Sequence, residues 1–477
     1  MMDEFHLVIR GGTVATASDT FRCDVGIRDG KIAALGHGMT RARQTLDASG
    51  RLVLPGGIDA HVHVDQPRAK GLASGGAQMA DNFHSGTLSA LFGGTTTIVP
   101  FAVQHRGQSL AAAVQDYHRR ASGNAFIDYG FHLIVSDPTA HVLETELPAL
   151  IAQGHASVKV YMTYEAMRLS DRQILDVLDV NRQAGALTMI HAENHECLTW
   201  LTERLEAQGL TAPKHHEDSR PMAVEREATH RAITLSEVAQ AQMLIVHVSG
   251  REAIEEIRRA RARGHRIYAE TCPQYLFLSK EDLALPDFEG AKCMCSPPPR
   301  DAINQAQVWQ ALEDGLFDIL SSDHAPYRFD ETGKLMYGRR AVFRQVANGI
   351  PGVETRSPLL FSEGVVAGRI DLQRFVALNS ANAARLYGLS QTKGTIAVGA
   401  DADIAIWDPE RRVSITNDML HHNVDYTPYE GRVVTGWPVT VISRGVVACH
   451  DGELRIAPGH GRFVKRYRSR PGAAAWT

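Results

Sequence analysis

Eight apolar, β-branched runs recur at intervals of tens of residues through the middle of this 477-residue chain. The runs are 52–58, 95–101, 129–136, 157–164, 187–193, 244–250, 266–273 and 317–326, with helical patterns at 109–122, 171–184, 223–241 and 251–263. Near-continuous hydrophobic strands that alternate with helices are typical of a parallel sheet buried on both faces. Eight such strands favour an α/β fold of the (β/α)8 TIM-barrel type over an open sheet. A doubly wound fold would also need a G-x-G-x-x-G after its first strand, and none is present.

The two ends of the chain have a different pattern, with short strands separated by turns. Residues 1–50, 394–409 and 440–455 share it, and Asp29-Gly30 and Asp451-Gly452 mark tight hairpins. We therefore predict a second, smaller β-sandwich domain built from both chain termini. The predicted boundaries are 1–54 and 391–457 for the β-sandwich, 55–390 for the barrel and 458–477 for a basic tail, either solvated or a subunit-contact arm.

Composition excludes several classes of partner. The formal net charge of −4 gives no reason to expect nucleic acid or an anionic membrane. No apolar run approaches the roughly 20 residues of a transmembrane helix, and the N-terminus lacks the features of a signal peptide. Six cysteines spread over this length do not form a disulfide framework, so we expect a reducing, cytoplasmic location.

Polar residues lie at or near the carboxyl ends of the predicted strands, where barrel enzymes place their active sites. His61 and His63 are two residues apart on the first strand, so their side chains point the same way. Each residue alone has an ordinary structural explanation, but together they converge on one mouth as candidate metal ligands. These residues are His61, His63, Lys159, His191, His247 and Asp323.

Lys159 lies inside the apolar run SVKVYM, where burial of an ammonium would cost several kcal/mol. Burial depresses the pKa of a lysine from its usual value of about 10.4. A neutral amine can add carbon dioxide to give a carbamate, which is a carboxylate on a long stem. We therefore predict that a CO2-derived carbamate on Lys159 bridges two cations.

The same stretches carry a family resemblance. The motifs are PGGIDAHVHVDQP, FGGTTTIVPF, SVKVYMTY, MIHAENHE, LIVHVSG, AETCPQYL, CSPPPR, SSDHAP, NGIPGVE and GTIAVGADADIAIWDP. In this order they resemble the cyclic amidohydrolases of the dihydropyrimidinase/hydantoinase family, within the amidohydrolase superfamily. They cover nearly the whole chain.

The resemblance implies two Zn²⁺ ions per subunit, bridged by the carboxylated Lys159 and a hydroxide. His61, His63 and Asp323 would bind the more buried ion. His191 and His247 would bind the other. Histidine and carboxylate ligands suit zinc, although Mn²⁺ or Co²⁺ could substitute. The resemblance also implies a small-molecule cyclic amide or imide substrate, opened to an N-carbamoyl amino acid, and a homotetramer or homodimer.

Four residues have implied roles at the substrate. Tyr164 resembles the family's oxyanion-stabilising tyrosine, and Asp323 is the candidate general base and acid. Ser296 and Asn348 would hold the amide edge of the ring, largely through backbone groups. Turn chemistry is the alternative explanation for Ser296 and Asn348.

Three positions depart from the family's apolar pattern: Gln66, Tyr161 and Arg168. If they line the pocket for the ring's substituent, that pocket is more polar than a phenyl-accepting one, and Arg168 could pair with a carboxylate. Alternatively, Arg168 faces solvent. The Gly/Ala-rich insert 68–80 is a candidate mobile lid.

Other functions are compatible with parts of this pattern. Dihydroorotase would need an arginine two residues after the second histidine, where this chain has Asp65. Allantoinase shares the ligand set and remains open. A non-catalytic, dihydropyrimidinase-like scaffold protein would be expected to have lost metal ligands, whereas all six are present.

Overall fold

Two nine-stranded sheets form the framework of the chain, for which the structure, a computed structural model, describes residues 4–67 and 76–467. The strands in these ranges are β1 (Phe5–Ala15), β2 (Thr20–Arg28), β3 (Lys31–Gly36), β4 (Ala42–Asp47), β5 (Leu52–Pro55), β6 (Gly57–Val62), β7 (Thr95–Val103), β8 (Asp128–Tyr129), β9 (His132–Ile134), β10 (Ser157–Tyr161), β11 (Leu187–His191), β12 (Met243–Ile245), β13 (Ile267–Thr271), β14 (Ile319–Leu320), β15 (Ile404–Ser414), β16 (Val433–Ser443), β17 (Val446–His450) and β18 (Glu453–Leu454).

Helices fill most of the connections between the barrel strands. They are α1 (Phe83–Phe92), α2 (Leu110–Ala121), α3 (Leu147–Ala152), α4 (Asp171–Ala184), α5 (His195–Ala207), α6 (His215–Asp218), α7 (Met222–Ala239), α8 (Arg251–Ala262), α9 (Pro273–Phe277), α10 (Ala302–Glu313), α11 (Arg356–Leu360), α12 (Leu372–Val376) and α13 (Asn382–Leu386). Short 3-10 or π-helical turns occur at Val142–Glu146, Lys280–Ala284, Glu289–Cys293, Phe343–Gln345, Phe361–Val366, Ala377–Ala381 and Asn417–Met419. In the described part of the chain, no helix is long and apolar enough to cross a membrane.

The central sheet is parallel and runs from β6 through β7 and β9–β13 to β14, with β8 paired to β7 beside β9. Val62 at the end of β6 forms a parallel bridge with His324 just after β14, so the sheet closes on itself. The short β8 and β9 together occupy the place of the third strand. The predicted (β/α)8 barrel is confirmed, and its strands carry the chemistry-bearing residues in the predicted order.

Helix α4 shows how local sequence sets these elements. Ser170 caps its first turn, because its side chain accepts from the backbone N–H of Gln173 and the Gln173 side chain binds back to the backbone of Ser170. The helix ends at Gly185, whose φ of 82° lies in the left-handed region that favours glycine. The predicted helix at 171–184 is therefore confirmed at both ends.

The first predicted strand, 52–58, is wrong as a single element. Leu52–Pro55 pairs with β1 and β15 in the other sheet, and the first barrel strand begins at Gly57. Between them, the backbone at Gly56 passes so close to Thr96 that a Cβ would lie 2.2 Å from Thr96 Oγ1. The sequence 52–58 is apolar throughout because both of its halves are buried, although they belong to different sheets.

The second sheet, from both termini, has the order β18-β17-β16-β15-β5-β1-β2-β3, with β4 also paired to β1. Most pairs are antiparallel, and the hairpin turns lie where the sequence predicts them. Asp29 and Gly30 have φ values of 51° and 75°, and Asp451 and Gly452 have 49° and 82°. Both residues of each turn thus have the positive φ that a type I′ hairpin needs. The sheet has its own hydrophobic core, and the predicted smaller β domain built from both termini is confirmed.

The C-terminal segment does not behave as a solvated tail over its described part. The backbone of Arg462, Val464 and Arg466 hydrogen bonds to Tyr129 and Gly154 of the barrel. The Arg466 side chain is fully buried and donates to Ser157 Oγ at 2.7 Å. Residues 458–467 therefore pack against the barrel, and the rest of the predicted tail, 468–477, lies outside the described residues.

A buried ion cluster joins the two sheets. Lys393 Nζ lies 2.9 Å from Asp128 Oδ2 of β8 and 3.3 Å from Asp401 Oδ2, and it also contacts Asp403 just before β15. Arg444, after β16, contacts Asp128 as well. Removing one partner of a buried pair leaves an uncompensated buried charge, which costs about 3–5 kcal/mol.

We predict that Lys393→Met lowers the free energy of unfolding by about 3–5 kcal/mol, because three aspartates lose their buried cation. Lys31→Met is a matched control, since Lys31 Nζ pairs with Asp401 at 2.5 Å but its side chain is 44% exposed. That change should cost less than about 1 kcal/mol. Urea unfolding measures both, and equal losses in the two variants would contradict the role of the cluster.

Candidate metal centre

A cavity opens at the carboxyl ends of the barrel strands, and of the twelve residues predicted from sequence all except Arg168 line it. The cavity has a volume of about 80 Å³. The predicted residues found there are His61, His63, Gln66, Lys159, Tyr161, Tyr164, His191, His247, Ser296, Asp323 and Asn348. The barrel and its loops bring together residues that are up to 287 positions apart in sequence, from His61 to Asn348.

Three of these residues form a group that can hold a metal ion: His61 in β6, His63 just after it and Asp323 after β14. Their ligand atoms all lie within 4.8 Å of one another. Asp323 Oδ1 is 3.2 Å from Nε2 of each histidine. Asp323 has a φ of 49°, and this strained conformation turns its carboxylate toward the two rings.

His191, the last residue of β11, and His247, just after β12, line the same cavity. The ring centroids of His191 and His247 are 4.5 Å apart, and those of His61 and His247 are 5.5 Å apart. Burial lowers the pKa of all three histidines. Neutral imidazoles have the lone pair that metal coordination requires.

Lys159 of β10 lines the same cavity as these histidines and Asp323 and is fully buried. Its Nζ has no hydrogen-bond partner among the described residues and lies 5.3 Å and 5.2 Å from the ring centroids of Phe101 and Tyr161. Burial lowers its pKa to about 8, against the opposing effect of Glu270 and Asp323. An unpartnered amine in this position fits a side chain that is chemically modified before it binds metal.

Two carboxylates that sequence analysis did not single out support the ligands. Glu270 Oε1 accepts from His61 Nδ1 at 2.6 Å, and Glu193 Oε2 accepts from His191 Nε2 at 2.7 Å. Arg220 Nη1 lies 2.6 Å from the same Glu193 oxygen. Such partners fix the orientation of the imidazole and raise its basicity. Glu193 and Glu270 both end apolar runs, as Lys159 interrupts one, and this signal could have identified them.

The residues assigned to the substrate surround the mouth of the cavity. Tyr164 has a φ of 68°, and its ring centroid is 5.2 Å from that of His191. Burial raises its pKa to about 12, against the opposing effect of Arg220, so its hydroxyl remains a donor near neutrality. Ser296 is buried beside it, and Asn348 Oδ1 is buried with no hydrogen-bond partner within residues 4–67 and 76–467.

The three positions that the sequence analysis interpreted as departures, Gln66, Tyr161 and Arg168, have different places in the structure. Gln66 and Tyr161 line the cavity. Arg168 does not, because its guanidinium bonds Glu165 at 2.9 Å and Glu196 at 3.3 Å on the surface. It therefore offers no cation to a substrate carboxylate here. Residues 68–75 of the predicted lid lie outside the described residues.

Lys334 lies behind the two segments that carry Ser296 and Asn348. Its Nζ donates to the backbone carbonyls of Met294 at 3.0 Å and Ala347 at 2.9 Å. It is fully buried, and burial lowers its pKa from 10.5 to about 7. Lys334 therefore cross-links the two segments at the mouth. Within residues 4–67 and 76–467 it forms no salt bridge with a carboxylate.

Comparison with known proteins shows a match over nearly the whole chain. A model of the amidohydrolase family matches residues 52–448. The D-hydantoinase of Ralstonia pickettii is 45% identical over 461 residues, 96% of this chain and 98% of that protein. The D-hydantoinase of Geobacillus stearothermophilus is 44% identical over 462 residues, 96% of each chain. The crystal structure of dihydropyrimidinase from Brevibacillus agri has a TM-score of 0.93 at 44% identity, covering 97% of this chain and 99% of that one.

We predict that the stability contributed by Lys334 rises with pH above about 7. Between its folded pKa of about 7 and its ordinary value of 10.5, only the unfolded chain binds the proton. The free energy of unfolding therefore increases with pH in that window. In Lys334→Met this slope is absent, so the Tm of the parent minus that of the variant should grow between about pH 7 and about pH 9.5.

Lys280→Met, at an exposed position, should show no such change and serves as the control. A Tm difference for Lys334→Met that stays constant over this range would show that the buried lysine keeps its proton.

Proposed function

Because the chain belongs to the amidohydrolase family and is a hydantoinase-type cyclic amidohydrolase, we propose that it opens a dihydropyrimidine or hydantoin ring to an N-carbamoyl amino acid with the help of two zinc ions. The observation that carries the proposal is the convergence of four histidines, Asp323 and the unpartnered amine of Lys159 in one cavity. A barrel that needed only stability would not leave the buried amine of Lys159 without a hydrogen-bond partner among the described residues.

The donor set fits a binuclear centre. His61, His63 and Asp323 would hold the more buried ion, and His191 and His247 the other. Lys159, as a carbamate, would supply the anionic bridge. When bound, the ions lower the pKa of water and polarise the carbonyl of the substrate. Histidine and carboxylate ligands favour Zn²⁺, with Mn²⁺ or Co²⁺ as substitutes.

The protein's own residues would then handle the protons and the charge. Asp323 takes a proton from the attacking water as its oxygen bonds to the ring carbonyl carbon. The Tyr164 hydroxyl donates to the oxygen that becomes negative, which its raised pKa allows at neutral pH. When the carbon–nitrogen bond breaks, Asp323 returns the proton to the leaving ring nitrogen.

The ring's amide edge would be held opposite these groups. Asn348 Oδ1, buried and unpartnered among the described residues, can accept from a ring N–H, and Ser296 lies beside the same opening. Ser296 and Asn348 closely follow Met294 and Ala347, whose carbonyls both accept from Lys334. The distance between Ser296 and Asn348 is therefore fixed before the substrate binds. Preorganised contacts of this kind lower the entropic cost of binding.

Dihydroorotase is less well supported. At the position where it would need a cation, Asp65 Oδ1 instead accepts from Arg120 at 3.0 Å. Allantoinase, or another cyclic-imide hydrolase of the superfamily, shares the same candidate ligands. Allantoin is therefore included among the substrates tested below. The homotetramer or homodimer and the cytoplasmic location stay predictions.

The test is a hydrolysis screen with zinc-loaded protein against dihydrouracil, hydantoin, 5-substituted hydantoins, allantoin and dihydroorotate. We expect ring opening of dihydrouracil or a hydantoin. In Lys159→Ala we expect bound zinc and turnover to be lost together, because the bridging group is gone. Lys280→Ala, an exposed lysine, should keep both.

Circular dichroism and zinc analysis of each variant separate loss of the site from loss of the fold. Full metal content and rate in Lys159→Ala would contradict the bridge. Turnover of allantoin or dihydroorotate alone would contradict the proposed substrate.

A further inference from the structure

Nε2 of the Gln66 side-chain amide lies 2.9 Å from Nδ1 of His63, so the amide nitrogen is the end that faces the ring in this structure. The other ring nitrogen of His63, Nε2, faces the opposite way and is 3.2 Å from Asp323 Oδ1. The two nitrogens therefore have different neighbours: Nε2 faces the proposed metal, and Nδ1 faces Gln66. Nothing in the roles proposed above uses the contact with Gln66.

The backbone around Gln66 is built to hold this contact. Asp65 has a φ of 55°, so the chain turns sharply between His63 and Gln66. The turn is fixed by the backbone N–H of Asp65, which donates to Asp81 O at 2.9 Å, and by the carboxylate of Asp65, which pairs with Arg120. The half-buried side chain of Gln66 thereby reaches Nδ1 of His63.

The chemistry of metal binding decides which atom of the amide must face the ring. A metal at Nε2 takes that nitrogen's lone pair, so the neutral ring carries its proton on Nδ1 and donates from it. Its partner must then accept, which only Oε1 of the glutamine can do. The two ends of an amide exchange places by rotation of the terminal group, so Gln66 satisfies this requirement without moving its backbone.

We propose that Gln66 is a positioning residue for the metal centre: its Oε1 accepts from Nδ1–H of His63 and aims the Nε2 lone pair at the ion shared with His61 and Asp323. This inference rests on the proposed function, because it assumes a metal at this group. It adds a residue that lies at one of the positions where the chain departs from its family's pattern.

The other ligand histidines show why the identity of this partner matters. His61 and His191 donate to carboxylates, Glu270 and Glu193, at 2.6 Å and 2.7 Å. His63 instead meets a neutral amide at 2.9 Å. A charged acceptor strengthens a hydrogen bond and the basicity of the ring more than a neutral one does. His63 is therefore the ligand whose metal affinity can be both weakened and strengthened by substitution of its partner.

The experiment uses three substitutions in the zinc-loaded, full-length protein. Gln66→Leu keeps most of the volume but removes the acceptor, and Gln66→Asn keeps the amide but shortens its reach. Gln66→Glu supplies a stronger acceptor. Met79 lines the same cavity, so Met79→Leu controls for the shape of the cavity. The readout is zinc retained per chain against a competing chelator, with circular dichroism as the check on folding.

We expect Gln66→Leu and Gln66→Asn to weaken one of the two zinc ions by about 10- to 100-fold, the usual effect of losing such a partner. Gln66→Glu should hold that ion at least as tightly as the parent, and Met79→Leu should match the parent. Parent-like retention in Gln66→Leu would overturn the proposal. Equal losses in Gln66→Leu and Gln66→Glu would also overturn it, because they would indicate only a disturbed loop.

The failure of this inference can be told from failure of the proposed function. A parent protein that binds two zinc ions but opens no cyclic amide would contradict the proposed function. The ranking of zinc retention among the parent and the Gln66 variants would still test the role of Gln66. A parent that binds no zinc would contradict both.

Discussion

The burial of one amine governs the rest of the site. Lys159 is fully enclosed in the mouth of a barrel, and its Nζ has no hydrogen-bond partner in the described part of the chain. A protonated lysine left there would cost several kcal/mol. The surrounding groups make sense if the lysine is converted to an anion, because four histidines and one carboxylate would otherwise face a cation that repels metal. The proposed binuclear centre resolves the cost of burial and the arrangement of ligands together.

The pairing register of the barrel strands, rather than the local sequence, brings the candidate ligands close together. Tyr161 of β10 pairs directly with His191 of β11, which sets Lys159 two residues below the level of that histidine. The bridge between Val62 and His324 closes the cylinder and brings His63 beside Asp323. Active sites at the carboxyl ends of barrel strands follow from this geometry. The ion cluster around Lys393 and the C-terminal segment at Arg466 then hold the terminal sheet and the end of the chain against the same barrel.

Most of the fold and the convergence of the candidate ligands in one cavity could be predicted from sequence because both leave strong local signals. Buried parallel strands give apolar runs, and a histidine or lysine at the end of such a run stands out. Other features leave weaker signals. The division of 52–58 depends on the close approach of Gly56 to Thr96. The exclusion of Arg168 from the cavity depends on its pairs with Glu165 and Glu196. The partners of the ligands, such as Glu270 for His61, are separated from them by long stretches of chain, so only the folded structure pairs them.

The most direct test of the central claim is an X-ray structure of zinc-loaded protein with anomalous data collected at the zinc edge. We predict two anomalous peaks per chain in the cavity, one beside His61, His63 and Asp323 and one beside His191 and His247. We also predict continuous density for a carboxylate attached to Lys159 Nζ between them. A single peak beside an unmodified Lys159 would contradict the account.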